Sequence, residues 1–207
     1  MAVRIDEPPD ATPLDPDEAQ GLIPSHIATR DQLNEWEQQN IVEGERWAFG
    51  RKHRNLLGLE FVKQLHRRMF GRTWKWAGKF RTTEKNIGVD PTQIAVQVQE
   101  LLRDVQVQVE QRAYPLDEIA ARFHHRLVWI HPFPNGNGRV SRTMTDLLLV
   151  SLGAEPFHWG GQNLDLVDAG KVRDRYLKAL RSADRGDYRL LLEFVRSGEQ
   201  TAMKLQP

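Results

Sequence analysis

The sequence predicts a mainly α protein with one short β-hairpin. Apolar residues recur three and four positions apart over most of the 207 residues, and prolines and glycines separate these stretches. No set of alternating segments is large enough to build a sheet. The length suits one domain with a peripheral extension. We expect an extended arm (1–28), a helix (29–50), a core (51–200) and a short tail (201–207).

The arm is predicted from composition, because five prolines and few large apolar side chains precede Ser25. Acidic residues outnumber basic ones ten to two up to Gly44, whereas from Glu45 to Lys85 basic residues lead twelve to three. Two interpretations stay open: the segments dock on one another, or the basic segment faces an anion.

The first two helices follow from capping and spacing. Thr29 is a suitable N-cap for a helix that reaches Phe49. A second helix is predicted from Leu56 to Phe70, where apolar residues recur at four-residue steps and form one stripe. The segment from Lys79 to Val89 then changes to glycines, β-branched residues and aromatics, which favours a hairpin.

Prolines and glycines mark the later helices. Pro91 and Thr92 open a helix over 94–109; its valine and glutamine alternation also suits a strand, but its length favours a helix. Pro132 ends a helix that begins at Pro115, because proline cannot continue a helix. The remaining helices are predicted over 139–152, closed by Gly153, and near 165–182 and 188–197.

Composition narrows the class of protein. The formal net charge of +1 gives no argument for nucleic acid as a direct partner. The absence of cysteine excludes a disulfide framework and thiolate zinc sites, and fits a reducing compartment. No apolar run approaches the roughly 20 residues that cross a bilayer, and the first ten residues lack a signal pattern. We expect a cytoplasmic protein without a membrane partner.

The stretch from His131 to Arg142 has the composition of a phosphate site. Glycines let successive backbone N–H groups face one anion, and the helix that follows adds its unpaired donors and positive dipole end. Arg139 and Arg142 are three residues apart, so both guanidinium groups reach the same polyphosphate. His131 is suited to act as a base beside it. The combination indicates phosphoryl or nucleotidyl transfer.

These residues resemble the Fic domain family, whose signature is His-x-Phe-x-Asp/Glu-Gly-Asn-Gly-Arg-x-x-Arg. The chain matches seven of its eight fixed positions. TWKWAGKFRTTEKNIG resembles the family's target-binding hairpin, and LGAEPFHWGG with DRYLKALRSADRGDY resembles the group called mobile mystery protein B. The resemblance covers about residues 29–197. It implies the Fic fold, a helical bundle whose two central helices flank the signature loop, with the hairpin as a flap over it.

The resemblance also implies roles. His131 would deprotonate a Ser, Thr or Tyr hydroxyl of a target protein, which attacks the α-phosphate of ATP. The phosphates would be bound by Gly136, Asn137, Gly138, Arg139 and Arg142, while Phe133 would anchor the loop in the core. The flap would pair with an extended target segment by strand addition, through Thr82, Thr83, Asn86, Ile87 and Gly88.

Two positions modify this expectation. The acidic position of the signature, which helps to hold Mg²⁺, is Asn135, and an amide oxygen is a weaker ligand for that ion. Gly138 argues against relatives that carry lysine there and bind the nucleotide in the opposite direction. The resemblance thus implies AMP transfer with ATP and Mg²⁺. The alternatives are a catalytically weak nucleotide-binding regulatory module and a transferase that uses another nucleotide.

An inhibitory motif is also suggested. In many relatives a glutamate from Ser/Thr-x-x-x-Glu-Gly/Asn forms an ion pair with the second arginine of the signature. Here Glu43 and Gly44 match, with Gln39 at the Ser/Thr position. The hypothesis is that Glu43 pairs with Arg142 and inhibits the enzyme. The group resemblance further implies a bacterial mobile element, a helix-turn-helix partner protein and a toxin–antitoxin-like pair.

Other polar and aromatic residues have simpler interpretations. His124 and His125 are adjacent on a helix and point about 100° apart, which favours hydrogen bonding over a shared metal. Trp74 and Trp76 suit core packing better than a stacking platform for single-stranded nucleic acid. Three glutamates are interpreted as solvated helix charges: Glu35, Glu37 and Glu45.

Overall fold

A computed structural model describes residues 16–161 and 170–198 of the chain. The prediction of a mainly α fold is confirmed. In the described ranges the helices are α1 (Pro16–Ala19), α2 (Arg30–Phe49), α3 (Leu59–Phe70), α4 (Ile94–Gln111), α5 (Leu116–Ile130), α6 (Asn137–Ser151), α7 (Lys171–Ala183) and α8 (Arg189–Arg196), with a 3₁₀ turn over Pro91–Gln93.

Helices α5 and α6 form the centre of the bundle. Phe123 on α5 and Met144 on α6 lie, fully buried, in the larger apolar core, which also includes side chains of α2, α3 and α4. The opposite sides of α5 and α6 pack against α7 and α8, where Tyr176 and Phe194 are buried. The short connection from α5 to α6 is therefore supported by core on both sides.

The helix ends follow local rules. Thr29 caps α2: its Oγ1 accepts from Gln32 N at 3.3 Å, and Gln32 Oε1 accepts from Thr29 N at 3.3 Å. Helix α3 starts three residues later than predicted, because Gly58 takes an extended conformation as its N-cap. The predicted part of α7 before residue 170 and the predicted tail (201–207) lie outside the described residues.

The prediction of an extended arm over 1–28 is wrong for residues 16–28. Leu22 forms an antiparallel bridge with Trp74, and Ile27 is buried in the core. Glu18 on α1 lies 2.5 Å from Lys85 Nζ, and both side chains are nearly buried. A few apolar contacts and this ion pair hold the segment despite its polar composition. Residues 1–15 lie outside the described part of the chain.

The predicted hairpin over Lys79 to Val89 is not confirmed. The segment is irregular, and the described residues contain no strand ladder, only the bridge between Leu22 and Trp74. The cause is Arg81, whose guanidinium donates to Thr83 O at 2.8 Å and to Val89 O at 2.5 Å. These carbonyl oxygens, which a hairpin would pair across its strands, instead accept hydrogen bonds from a side chain.

The opposed charges of the N-terminal segments do meet. Glu18 pairs with Lys85, and Glu43 pairs with Arg72 at 2.6 Å. Docking of the acidic segment on the basic one is thus a feature of the fold. In 16–161 and 170–198, no helix has the length and apolar character needed to span a bilayer.

Candidate active site

The site begins where α5 ends at His131. This residue takes a left-handed conformation, with φ 53° and ψ 60°, and is followed by Pro132. A residue before proline is disfavoured in the right-handed helical region, so the helix stops here. The left-handed region costs a residue with a side chain roughly 1–2 kcal/mol. A hydrogen bond from Arg81 Nε to the His131 carbonyl, 2.7 Å long, helps to fix the turn.

Phe133 anchors the loop. Its ring is fully buried and stacks on His66, with centroids 3.8 Å apart. The Asn137 side chain clamps the same residue: its Oδ1 accepts from Phe133 N and its Nδ2 donates to Phe133 O, both at 2.8 Å. The Asn137 amide is thus engaged in loop geometry, and this residue can contribute to an anion hole only through its backbone N–H.

His66 supports the loop from α3, a role that the sequence did not reveal. It is buried, its Nδ1 accepts from Gly78 N at 2.9 Å, and its Nε2 lies 3.1 Å from Asn135 O. Because Nδ1 accepts, Nε2 carries the proton and the ring is neutral. Burial lowers the pKa of His66 to about 3, which is consistent with this state.

Position 136 has room only for glycine. Its φ is +77°, and a Cβ there would lie 2.6 Å from the ring of Phe70. Helix α6 starts at the next residue, and its first helical hydrogen bond runs from Val140 N to Gly136 O at 3.0 Å. The N–H groups of Asn137, Gly138 and Arg139 precede that bond. They form an N-terminal donor set suited to an anion.

The first signature arginine, Arg139, borders this donor set. Its Nη1 lies 2.9 Å from Glu37 Oε2 on α2, and its guanidinium lies over the ring of Phe70. Its Nη2 also approaches Asn135 Oδ1, at 3.4 Å. The side chains of Arg139 and Glu37 are both largely buried. A phosphate that binds Arg139 must therefore displace the Glu37 carboxylate or offset the repulsion between the two negative charges.

The second signature arginine, Arg142, is buried beneath the first. Its guanidinium is hydrogen-bonded to the Tyr176 side chain and lies near Glu45 and Asp146. Burial lowers the pKa of Arg142, while the two carboxylates favour its charged form. Burial raises the pKa of Asp146 to about 7. Arg142 is therefore held within the core, and a Cβ built at Gly138 of the loop would lie 3.6 Å from its Nη1.

The predicted ion pair between Glu43 and Arg142 is wrong. Glu43 is half exposed and forms a two-oxygen contact with Arg72, at 2.6 and 2.7 Å. Glu43 and Glu45 are two positions apart on α2, so their side chains point about 200° apart. Glu43 therefore lies on the outer side of the helix. Glu45 instead reaches α6, where its Oε1 accepts from Thr143 Oγ1 at 3.2 Å. Burial raises the pKa of Glu45.

The interpretation of Glu37 and Glu45 as solvated charges is also wrong. Glu37 is 8% exposed and accepts from Trp74 Nε1 at 2.6 Å as well as pairing with Arg139. The sequence did hold a signal: both glutamates are four residues from Ile41, on the same stripe as the buried Leu33. Glu35 is exposed, as expected.

Burial lowers the pKa of His131 to about 4, and the positive charges of Arg81 and Lys85 act in the same direction. The imidazole is therefore neutral near pH 7 and available to accept a proton. His131 itself is 6% exposed, so it adjoins the loop rather than bulk water.

The predicted flap residues lie beside this histidine. All five are exposed: Thr82, Thr83, Asn86, Ile87 and Gly88. A Cβ built at Gly88 would lie 2.8 Å from the Cβ of His131. The structure thus brings the flap and the base together.

The remaining polar and aromatic residues serve packing. His124 Nε2 lies 2.9 Å from the Tyr176 hydroxyl, and His125 Nε2 lies 2.8 Å from Asp184, which confirms their hydrogen-bonding roles. Trp74 is buried and stacks with Trp76, with centroids 5.0 Å apart. Core packing is confirmed for the tryptophan pair.

Comparison with known sequences gives a family match. Residues 56–149 match the Fic/DOC family model. The protein adenylyltransferase fic-1 of Caenorhabditis elegans is 25% identical over 158 residues, which cover 74% of this chain and 29% of the relative. The protein adenylyltransferase Fic of Drosophila melanogaster is 28% identical over 149 residues, 70% of this chain and 28% of the relative. The chain thus spans less than a third of these relatives.

Solved structures share the fold. The BepC protein of Bartonella tribocorum, a VirB-translocated effector crystallised with AMPPNP, superposes with a TM-score of 0.65 at 17% identity, covering 88% of this chain and 97% of that one. The N-terminal Fic domain of a VirB-translocated Bep effector from Bartonella quintana gives a TM-score of 0.68 at 16% identity, with coverage of 86% and 91%. At these identities the likeness concerns the fold.

Proposed function

The chain belongs to the Fic/DOC family through residues 56–149, and we propose that it is a protein adenylyltransferase. It would transfer AMP from ATP to a Ser, Thr or Tyr hydroxyl of a target protein. One observation carries the proposal: a neutral, buried histidine stands at the entrance of a helix N-terminus that also presents two arginines. The family and the names of the similar proteins support the same reaction.

The reaction needs one base and one anion site. The target oxygen attacks the α-phosphorus and its proton passes to His131. A new oxygen–phosphorus bond forms while the bond from the α-phosphorus to the bridging oxygen breaks, and pyrophosphate leaves with its electron pair. The lowered pKa of His131 keeps the imidazole in the proton-accepting form. The backbone N–H groups of Asn137, Gly138 and Arg139 would stabilise the negative charge that develops.

The two arginines would hold the leaving phosphates. Arg139 is within reach of the loop and would exchange its Glu37 partner for phosphate oxygens. Arg142 is fixed by Tyr176, so it offers a preorganised charge at the base of the cradle. The exposed flap would hold an extended target segment through its backbone, a mode that discriminates weakly between side chains.

The loop provides a poor fit for a magnesium ion held by the protein. Its oxygen ligand would be Asn135 Oδ1, which accepts from Gly136 N and faces Arg139. An amide oxygen among donors and a cation is not the anionic environment that Mg²⁺ prefers. We therefore assign the phosphate contacts to the donors of the chain, and no step depends on the ion.

A nucleotide-binding regulatory module is the second candidate. It is favoured by the neutral Asn135 and by the carboxylate of Glu37 on a phosphate-binding arginine. A helix-turn-helix partner, a mobile element and a cytoplasmic location remain predictions from the sequence. A transferase that uses GTP, CTP or UTP would keep the same base and cradle.

Label transfer separates these candidates. The chain is incubated with a cell lysate and ATP labelled at the α- or the γ-phosphorus, beside GTP, CTP and UTP labelled at the α-phosphorus. Protein label from α-labelled ATP that disappears in His131→Ala, but not in the control His26→Ala at an exposed histidine, supports AMP transfer. Label from the γ-position that likewise disappears in His131→Ala refutes it. Nucleotide binding without label in either protein supports the regulatory module.

A further inference from the structure

A single guanidinium connects the flap to the turn that carries the base. Arg81 is 3% exposed, and its Nε donates to His131 O at 2.7 Å. Its Nη1 donates to Thr83 O at 2.8 Å, and its Nη2 donates to Val89 O. Its Nη2 also lies 3.5 Å from Ile130 O. One side chain therefore contacts four backbone carbonyls, two in the flap segment and two at the turn that carries His131.

The backbone adds a second set of links at the same place. Arg81 N donates to Pro132 O at 2.9 Å, and Val89 N donates to Ile130 O at 3.3 Å. Both ends of the flap are thus tied to the residues that flank His131. The segment between these two ties is largely exposed.

Gly88 shows how closely the parts approach. Its φ is +106°, and a Cβ there would lie 2.6 Å from Arg81 Nη2 and 2.8 Å from the His131 Cβ. The junction leaves no room for a methyl group, because an L-residue is strained at this φ and two neighbours occupy its space.

We propose that Arg81 is a positioning residue, which holds the target-binding flap and the His131 turn in one fixed geometry. The proposal rests on the proposed function, because that reaction requires the flap to bind a target segment and His131 to accept a proton from it. Arg81 does not adjoin the phosphate cradle in any of its hydrogen bonds. Its removal should therefore affect transfer and leave nucleotide binding nearly unchanged.

The charge of Arg81 has a separate effect on the base. Arg81 and Lys85 both act on His131, and both favour the neutral imidazole. Lys85 is paired with Glu18, and Glu18, Glu84 and Asp90 lie close enough to Arg81 to act on it. Removing the guanidinium should raise the pKa of His131, because a nearby positive charge is lost.

Two substitutions separate geometry from charge. Arg81→Lys keeps the charge and loses the fork of hydrogen bonds, whereas Arg81→Met loses both. Gly88→Ala disturbs the same junction without removing a charge. Arg103→Met, at an exposed arginine on α4, is the matched control. Circular dichroism at each temperature used establishes that every variant is folded.

Three measurements are made on each variant: the affinity for AMPPNP, the rate of label transfer, and the pH titration of the His131 imidazole by NMR. We expect both Arg81 variants and Gly88→Ala to lose about tenfold or more in transfer, with AMPPNP affinity within about twofold. We expect the His131 titration to move upward in Arg81→Met and to stay near the wild-type value in Arg81→Lys.

Transfer at the wild-type rate in Arg81→Lys would overturn the positioning role, because charge alone would then suffice. An unchanged His131 titration together with unchanged transfer in Arg81→Met would overturn it as well. If the wild-type chain transfers no label, the proposed function fails. In that case the position of His131 is still tested, because its NMR signals in Gly88→Ala and Arg81→Lys must shift from those of the wild type if the junction fixes the turn.

Discussion

The carboxylate of Glu37 lies 2.9 Å from Nη1 of Arg139, so a glutamate of α2 holds the arginine that would receive the nucleotide phosphates. Glu37 also accepts a hydrogen bond from Trp74, which fixes its position. The acidic N-terminal segment therefore reaches the cradle itself. Phosphate and carboxylate compete for the same guanidinium, and this competition has a measurable consequence.

Glu37→Gln should bind ATP more tightly than the wild type. The substitution keeps the hydrogen-bonding shape and removes the competing charge, so AMPPNP affinity should rise about fivefold to tenfold, or about 1 kcal/mol. Calorimetric titration measures the effect. Glu35→Gln, at an exposed position on the same helix, is the control. Equal affinity in Glu37→Gln and the wild type would show that the ion pair does not restrain Arg139.

The transfer rate should stay nearly constant as the pH falls from about 8 to about 5.5, because the pKa of His131 is lowered to about 4. The neutral imidazole is the active form and predominates above that pKa. The rate should decline only when the pH approaches it. A rate that halves near the ordinary histidine pKa of about 6.5, together with an NMR titration of the His131 imidazole at that pH, would contradict the burial of this base. Circular dichroism defines the pH range in which the chain remains folded.

Stability should fall at acid pH through His66, whose pKa is lowered to about 3 by burial. In the unfolded chain the His66 imidazole binds a proton as the pH falls through about 6.5, whereas in the folded chain it stays neutral there. The contribution of His66 to the free energy of unfolding is therefore fully present above that pH and is lost progressively below it. As the pH falls from about 7.5 to about 5, this histidine should lower the free energy of unfolding by about 2 kcal/mol. Urea unfolding at both pH values measures the loss, which should be smaller by that amount in His66→Gln. An identical pH dependence in the variant would refute the linkage.

Gly44→Ala should destabilise the fold, which gives the glycine of the Glu-Gly pair a packing role. A Cβ there would lie 2.9 Å from Met69 Cα and N, which are backbone atoms of α3 and cannot move alone. The expected loss is about 1–3 kcal/mol in the free energy of unfolding. Gly170→Ala, where a Cβ meets nothing within 4 Å, is the control. If both variants unfold at the same urea concentration, the helices do not need a glycine at their crossing.

Local signals predicted much of the molecule. Thr29 forms the expected N-cap, and α5 ends just before His131, as Pro132 predicts. Helix α6 begins at Asn137, two residues before the predicted start at Arg139. The signature residues come together because they are adjacent in sequence, on two helix ends joined by a short loop. Such features depend on neighbours along the chain.

Contacts between distant segments were not predictable in the same way. The register of α2 on the core decides that Glu37 and Glu45, rather than Glu43, face the cradle arginines. Motif spacing alone does not contain that rotation. The flap was predicted as a hairpin because its composition suits strands, whereas one arginine side chain satisfies its carbonyls.

The central claim is that the segment from His131 to Arg142 binds a nucleotide with its α-phosphate beside the base. A crystal structure of the chain with AMPPNP tests this most directly. We expect phosphate oxygens on the backbone N–H groups of Asn137, Gly138 and Arg139, the terminal phosphates on Arg139 and Arg142, and the α-phosphorus nearest to His131. A nucleotide bound elsewhere, or bound with its γ-phosphorus beside His131, would contradict the account.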